Sequence, residues 1–250
     1  TSYFANSPFS MQAGKPAEGA VLALLEPFKA DLLPGTIEGY ALPESDGTAQ
    51  NRPGLRRALT LLEEAGWTIG DDGVLKNADG TPFTFEILLT IGQDEAATIA
   101  AIYVEALQNA GITATVSMLD SAQMKSRTDT FDFDMTYIIR TMSLSPGNEQ
   151  NLYWSSSAAD TEGSRNWMGV KSPAIDATIA AMLAARTKED AATAAQALDH
   201  LLTAGRYVVP FWFADRNLIV HAKELKHPET VQLYGDWGNS YLPALWWYEE

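Results

Sequence analysis

The middle of the chain alternates between β-type and helical segments, and this order constrains the fold more than any other feature. Residues 83–89 and 112–118 are rich in β-branched and aromatic side chains, whereas residues 94–110 carry apolar side chains at helical spacing. A strand, a helix and a second strand joined by short turns form a βαβ unit, which requires parallel strands and a right-handed crossover. We therefore predict an α/β fold in which a mixed sheet is flanked by helices.

Segments on both sides of this unit also carry the patterns of regular elements. Asn51 and Gly66 have the residue types of a helix N-cap and of a helix stop, and Pro27 is expected to end an earlier helix. Turn residues on either side of residues 74–75 predict a hairpin. The remaining predictions are helices at residues 18–30, 120–127, 173–186 and 189–204, a loop at 33–50, and strands at 131–140, 207–213 and 217–221.

The charge of the chain excludes several classes of partner. Its net charge is −15, from 32 acidic against 17 basic residues, and such a field repels the phosphates of nucleic acids and the surface of anionic membranes. No apolar run in the sequence reaches the roughly 20 residues that span a bilayer. We therefore expect neither nucleic-acid binding nor membrane insertion. The absence of cysteine excludes disulfides, thiolate chemistry and sulfur-ligated metals.

The segment 131–140 leads from β-type residues to a charged side chain and then to a polar loop. Open α/β sheets bind their ligands where strands end in such loops. Arg140 is the candidate for a ligand carboxylate, because its planar fork of donors binds bidentately, although a structural salt bridge explains it equally well. Glu149 is the candidate for an amino group. Ser145 and Asn148 supply further hydrogen-bonding groups in the same loop.

The tryptophans are a second possible source of ligand contacts. Six of the seven lie near glycine, serine, asparagine or aspartate rather than inside apolar runs. Aromatic faces beside polar groups suit the recognition of peptides or sugars, but each ring can equally cap the core. Trp154 and Trp167 are the candidates for the ligand face. The other four are Trp212, Trp237, Trp246 and Trp247.

The sequence offers little support for catalysis or for metal binding. It contains no nucleophile elbow, no phosphate-binding glycine loop and no His-Glu-x-x-His motif. Asp132 and Asp134 share one face of the predicted strand, which allows a catalytic pair but favours a solvent-facing alternation. His221 and His227 flank Glu224 at a spacing that fits neither one helical face nor a zinc motif. We therefore expect a solvated loop there, no metal site and no cofactor.

A series of motifs connects the chain to a known family. The motifs are RRALTLLEEAGW at 56–67, TPFTFEILL at 81–89, FDFD at 131–134, KSPAID at 171–176 and VVPFW at 208–212. In this order they resemble the peptide/nickel class of extracellular solute-binding proteins that supply ABC importers. SYFANS at 2–7 and SPGNE at 145–149 further resemble its Yej-type oligopeptide-binding subgroup.

The resemblance implies a lobe of a bacterial periplasmic binding protein, which captures an oligopeptide-like ligand and delivers it to an ABC permease without catalysis. Family members are considerably longer, so the chain is expected to match their carboxyl half. Residues 41–225 would form the lobe, while residues 1–40 and 226–250 would pack on the missing N-terminal lobe. The acidic residue that oligopeptide binders place after the 131–140 strand has no counterpart, because the loop at 141–145 reads TMSLS.

Two other functions stay open at this point. An oligosaccharide-binding member of the same family would also suit the tryptophans. A hydrolase that uses Asp132 and Asp134 is the less favoured interpretation.

Overall fold

The computed structural model of the protein describes residues 2–4, 7, 9–10, 14–48, 50–140, 146–210, 220–229 and 246–249. The helices within them are α1 (Gly19–Leu25), α2 (Arg52–Glu64), α3 (Asp94–Gln108), α4 (Ser121–Asp129), α5 (Glu149–Trp154), α6 (Pro173–Ala184) and α7 (Lys188–Gly205), with 3-10 turns at Glu26–Asp31 and Ser156–Ala158. The strands are β1 (Thr68–Ile69), β2 (Leu75–Lys76), β3 (Thr84–Thr90), β4 (Thr113–Leu119), β5 (Met135–Thr136), β6 (Leu225–Lys226) and β7 (Trp247–Tyr248).

The largest sheet in the described part of the chain has the order β4-β3-β5 and consists of parallel strands. β3 and β4 pair over seven positions, from Thr84 opposite Thr113 to Thr90 opposite Leu119. β1 with β2 and β6 with β7 form separate antiparallel pairs. The predicted α/β class and the parallel βαβ unit of β3, α3 and β4 are therefore confirmed.

The helix α3 covers one face of this sheet. Side chains alternate along a strand, so Ile87 and Leu89 of β3 point to the same face. They join Ala96 and Ala100 of α3 and Ala114 of β4 in one buried cluster. Small alanine side chains on the helix leave room for the larger side chains of the strand, which allows the two elements to pack closely.

A second buried cluster lies at the turn between α3 and β4. Leu75 of β2, Ala110 and Ile112 are buried together, with Trp67 and other side chains packed around them. Gly111 has a φ of +75°, a left-handed conformation that side chains other than glycine rarely adopt. Its carbonyl accepts a hydrogen bond of 2.8 Å from the backbone N–H of Leu75, which joins the βαβ unit to the hairpin.

The helices end close to the predicted positions, but the predicted N-cap of α2 does not form its side-chain hydrogen bond. Helix α1 stops before Pro27, and a 3-10 turn continues it. Gly66, with a φ of +87°, follows α2 and ends it. Asn51 precedes α2 as predicted, but its side chain makes no capping hydrogen bond. The reason is its left-handed backbone, with φ at 32°, whereas a capping side chain requires an extended one.

The strand predicted at residues 131–140 is wrong in extent, because only β5 is regular. Phe131 has a φ of 57°, so the chain turns where the strand was expected to begin. The carboxylate of Asp134 accepts a hydrogen bond of 2.9 Å from the backbone N–H of Glu86, and this side chain takes the place of a backbone partner. β5 then pairs with β3 at two positions, Ile87 with Met135 and Leu88 with Thr136.

Half of the residues in the strands predicted at 207–213 and 217–221 lie outside the described residues. Their described portions, 207–210 and 220–221, are not strands. Pro210 has no N–H to donate to a neighbouring strand, which disfavours a regular strand at this position.

The chain divides into two compact units. One comprises Thr1–Tyr40, Met142–Gln150 and Ala177–Glu250, and the other comprises Ala41–Thr141 and Asn151–Asp176. The domain division predicted from the sequence, with boundaries after residues 40 and 225, stays a prediction. In the described part of the chain, every helix is too short or too polar to cross a membrane.

The interior of the first unit is organised by α7. Leu198 and Leu202 of this helix are 0% exposed. Two polar side chains, Asp199 and His200, lie between these leucines and are also buried. The carboxylate of Asp199 accepts a hydrogen bond of 2.8 Å from the backbone N–H of Tyr3. The imidazole of His200 donates from Nδ1 to the backbone carbonyl of Thr36 at 3.0 Å, because a carbonyl oxygen can only accept. Both buried groups thus bind backbone from the beginning of the chain.

Candidate functional site

Arg140 lies against two aromatic rings at the end of the segment that contains β5. The central carbon of its guanidinium is 4.0 Å from the centre of the Tyr153 ring and 5.0 Å from that of the Trp154 ring. Both distances fall within the roughly 6 Å over which a cation is attracted to an aromatic face. Nη2 also donates to the backbone carbonyl of Arg165 at 3.3 Å. These contacts hold a partly exposed positive charge in a fixed plane.

Trp154 is the buried one of the two rings that contact Arg140. Its side chain is 1% exposed, so its ring supports Arg140 and fills the core. The structure therefore brings Arg140 and Trp154 together, as two candidates of the same site. It gives Trp154 a supporting position, and a direct ligand contact by its ring stays a prediction. Tyr153 was not among the residues predicted from the sequence, although its position directly before Trp154 on α5 was a usable signal.

The loop that carries Arg165 is fixed by a buried asparagine. Asn166 is 0% exposed, and its Nδ2 donates to the carbonyls of Ser155 and Val170, both at 2.9 Å. Its Oδ1 accepts from the N–H of Val170 at 2.9 Å. A side chain that satisfies several buried backbone groups holds an irregular loop in one conformation. The carbonyl that binds Arg140 is therefore part of a rigid surface.

Trp167 lies on the same loop and is half-buried. Its indole Nε1 donates to the carbonyl of Ser164 at 3.1 Å. Its ring meets that of Phe133 edge to face, with the ring centres 6.3 Å apart. The indole thus connects the loop to the residues that precede β5. Its predicted role in ligand binding stays a prediction.

The remaining candidates belong to the other unit or lie outside the described residues. Glu149 begins α5, and its carboxylate accepts hydrogen bonds from the N–H of Gly147 at 2.9 Å and from Nε2 of Gln150 at 3.1 Å. This local pairing stabilises the first turn of the helix. Asn148 precedes it in the turn, and Ser145 lies outside the described residues. Their predicted ligand contacts stay predictions.

The two aspartates considered for catalysis have separate partners. Asp132 accepts from Nε of Arg127 at 3.1 Å, whereas Asp134 accepts from the backbone of Glu86. Glu86 itself accepts a hydrogen bond from Ser117 and pairs with Arg127 at 2.9 Å, and these contacts lower the pKa of its carboxyl. The arrangement is a polar network that positions β5 beside β3.

An open surface depression lies at the start of α2. Arg52 and Arg56 face it together with the carboxylate of Asp46, so its charge is mixed. Nε of Arg52 donates to the side chain of Gln50 at 3.1 Å. Nothing in this arrangement indicates a particular ligand.

The fold matches that of solved binding proteins. The chain aligns with the oligopeptide-binding protein AppA of Bacillus subtilis, solved with a nonapeptide, at a TM-score of 0.55 and 17% identity, covering 82% of this chain and 41% of that one. It aligns equally with a periplasmic oligopeptide-binding protein of Thermotoga maritima, solved with mannohexaose, at a TM-score of 0.57 and 18% identity, covering 83% and 40%. The fold is therefore that of a lobe of a periplasmic binding protein.

The sequence places the chain more narrowly. Residues 26–163, more than half of the chain, match the family described as bacterial extracellular solute-binding proteins, family 5 (middle). The chain belongs to this family, and the Yej-type resemblance is confirmed by its relatives.

Two of those relatives come from Agrobacterium fabrum. The "Peptidoglycan-binding protein YepA" is 36% identical over 252 residues, and the "Probable peptide-binding protein YejA" is 34% identical over 248 residues. The alignments cover 98% and 99% of this chain. They cover 39% of each relative, so the chain spans about two fifths of the length of the curated proteins that it matches.

Proposed function

We propose that the chain is part of the substrate-binding component of an ABC importer, which captures oligopeptides or peptide-like ligands in the bacterial periplasm and delivers them to a membrane permease. Membership of solute-binding family 5 supports this function. The name of the Agrobacterium YejA protein and the nonapeptide bound to AppA support a peptide as the ligand. No covalent step is part of the proposal.

The observation that carries the proposal is the placement of Arg140. A guanidinium that rests on an aromatic ring keeps its plane fixed, so little conformational entropy is lost when it binds. A carboxylate matches the geometry of the planar fork, and a positive group whose plane is fixed by aromatic rings suits an anionic group of a ligand. We assign to Arg140 the carboxylate of a peptide-like ligand.

Transport would then proceed through closure of the full-length protein on its ligand. Contacts from two lobes favour the closed conformation only when the ligand is present, and the permease would recognise that conformation. The residues near Arg140 would supply the contacts from one side. The opposing lobe would lie in the part of the full-length protein that this chain does not contain.

The role of Arg140 can be tested by calorimetry with peptides that carry either a free or an amidated carboxyl terminus. We expect Arg140→Ala to weaken binding of the free-acid peptides by roughly tenfold or more, because a charge-assisted bidentate pair is lost. Arg140→Lys should restore only part of the affinity, since an ammonium cannot bind both oxygens in the same way. The amidated peptides should respond much less to either change.

Arg165→Ala is the matched control, because it removes a neighbouring exposed arginine while keeping the backbone carbonyl that contacts Arg140. Its affinity for the peptides should equal that of the wild type. Unchanged binding in Arg140→Ala would contradict the assignment. Titration of oligosaccharides in parallel distinguishes the sugar-binding alternative, since neutral sugars that bound more tightly than every peptide would overturn the proposed ligand class.

A further inference from the structure

Two histidines and a tryptophan form a compact cluster around the hairpin of β6 and β7. His221 lies before β6 and His227 follows it directly, and their ring centres are 5.5 Å apart. The ring of Trp246, directly before β7, lies 4.8 Å from His221 and 4.9 Å from His227. Both histidines are exposed. The cluster has no part in the function proposed above.

Hydrogen bonds fix which nitrogen of each histidine can bind a ligand. Nδ1 of His221 lies 2.9 Å from the carbonyl oxygen of Ala222, and Nδ1 of His227 lies 2.8 Å from that of Pro228. A carbonyl oxygen only accepts, so both Nδ1 atoms carry the hydrogen. The lone pair of each neutral ring is then on Nε2. This is the arrangement in which a histidine bound at Nδ1 to a carbonyl offers Nε2 to a metal ion.

The separation of the rings is suitable for a shared ion. A metal–imidazole bond is about 2.0–2.1 Å long, which puts the ion roughly 3.2 Å from the ring centre. Two rings that share an ion can therefore have their centres up to about 6.4 Å apart. The observed 5.5 Å lies within this limit, so small rotations of the two exposed side chains can direct both Nε2 atoms to one ion.

We propose that His221 and His227 form a surface site for a divalent transition-metal ion. Within the described residues no group of three or more histidine, cysteine or acidic side chains could hold a metal, so the protein supplies two ligands and water completes the coordination. Imidazole pairs bind Cu²⁺ more tightly than Ni²⁺ or Zn²⁺. Trp246 forms an apolar wall beside both rings, and the negative net charge of the chain attracts cations to its surface.

Titration with Cu²⁺ and Ni²⁺ as simple salts, followed by calorimetry and tryptophan fluorescence, tests the site. We expect saturable binding of one equivalent of Cu²⁺, with weaker binding of Ni²⁺. His221→Gln and His227→Gln should each weaken the binding of Cu²⁺ by roughly tenfold or more, because a single imidazole remains. Trp246→Phe should retain the binding and lose the quenching that the bound ion causes.

Lys223→Gln is the control, because it changes an exposed side chain of the same segment that cannot replace an imidazole. It should bind Cu²⁺ as tightly as the wild type. Electron paramagnetic resonance of the Cu²⁺ complex should show two imidazole nitrogens in the wild type and one in each histidine variant. Equal affinity in the wild type and in the double histidine variant would overturn the proposal, as would a spectrum with no imidazole nitrogen.

Discussion

Asn166 takes the place of regular secondary structure in the loop that supports Arg140. It satisfies the carbonyls of Ser155 and Val170 and the N–H of Val170 while being 0% exposed. Polar residues of this kind are difficult to recognise in a sequence, because an asparagine in a loop usually faces water. The sequence therefore predicted a polar region after β5 but not the side chain that gives it one conformation.

Replacement of Asn166 tests how strongly it holds the loop. Asn166→Ala leaves three buried backbone groups without their partner, so we expect a loss of about 2–4 kcal/mol in the free energy of unfolding. Urea denaturation would measure it. Asn109→Ala, at an exposed asparagine after α3, is the control and should change the stability by no more than about 0.5 kcal/mol. Similar values for the two variants would show that the buried hydrogen bonds contribute little.

A second single residue, His200, makes the stability of the fold depend on pH. Burial lowers its pKa below the ordinary value of 6.5, although the hydrogen bond to Thr36 acts in the opposite direction. Above that value the ring is neutral in both the folded and the unfolded chain. As the pH falls through 6.5, the unfolded chain takes up a proton that the folded chain does not. The folded state is therefore destabilised progressively on the acidic side.

The contribution of His200 appears as a difference between two pH profiles of unfolding. His200→Gln keeps a donor for the carbonyl of Thr36 but does not titrate, so its stability should fall less than that of the wild type as the pH drops below 6.5. Denaturation curves recorded across this range measure both profiles. Parallel profiles would mean that the ring titrates alike in the folded and unfolded states.

The elements of the sheet differ in how well the sequence predicted them. Helices α2, α3, α4, α6 and α7 and strands β3 and β4 follow local patterns of periodicity and end residues, so their positions were predicted closely. β5 was not, because the length of a strand depends on its pairing. The backbone N–H of Glu86 donates to the carboxylate of Asp134 instead of to a backbone carbonyl of a neighbouring strand. No local sequence pattern indicates that contact. The sequence led us to expect a solvated loop at His221 and His227, because no local pattern places Trp246 beside both rings.

Gly111 shows how one turn joins two elements, and it can be compared with Gly66. Both have a positive φ, but a side chain at Gly111 would meet the backbone N of Leu75 at 2.8 Å, whereas one at Gly66 would meet nothing within 4 Å. We expect Gly66→Ala to cost about 1 kcal/mol from backbone strain alone. Gly111→Ala should cost about 2–4 kcal/mol, because the hairpin must also move. Equal losses in chemical denaturation would contradict this role for the turn.

At the scale of the whole molecule, the chain matches relatives of which it covers 39%. Its fold could be predicted from ordered motifs along the sequence, because those motifs recur with the family. The ligand could not, since the loop at 141–145 lacks the acidic residue expected there and lies outside the described residues. The identity of a bound molecule depends on contacts from several parts of a full-length protein.

A comparison of this chain with a full-length Yej-type relative tests that dependence. We expect the chain to bind peptides at least about tenfold more weakly, because contacts from the rest of the protein are lost. Calorimetry with one peptide library on both proteins measures the difference. Equal affinities would mean that the chain forms the complete ligand site.

The hydrogen bond between His200 and the carbonyl of Thr36 joins residues 164 positions apart, and that of Asp199 with Tyr3 spans 196. A ribosome that adds about 5–20 residues per second would need roughly 8–40 s to make the later partner after the earlier one. During that interval the βαβ segment can already close, whereas the opening residues lack the helix that they pack on. The contacts of Tyr3 and Thr36 with α7 therefore form later in synthesis than the contacts within the βαβ unit.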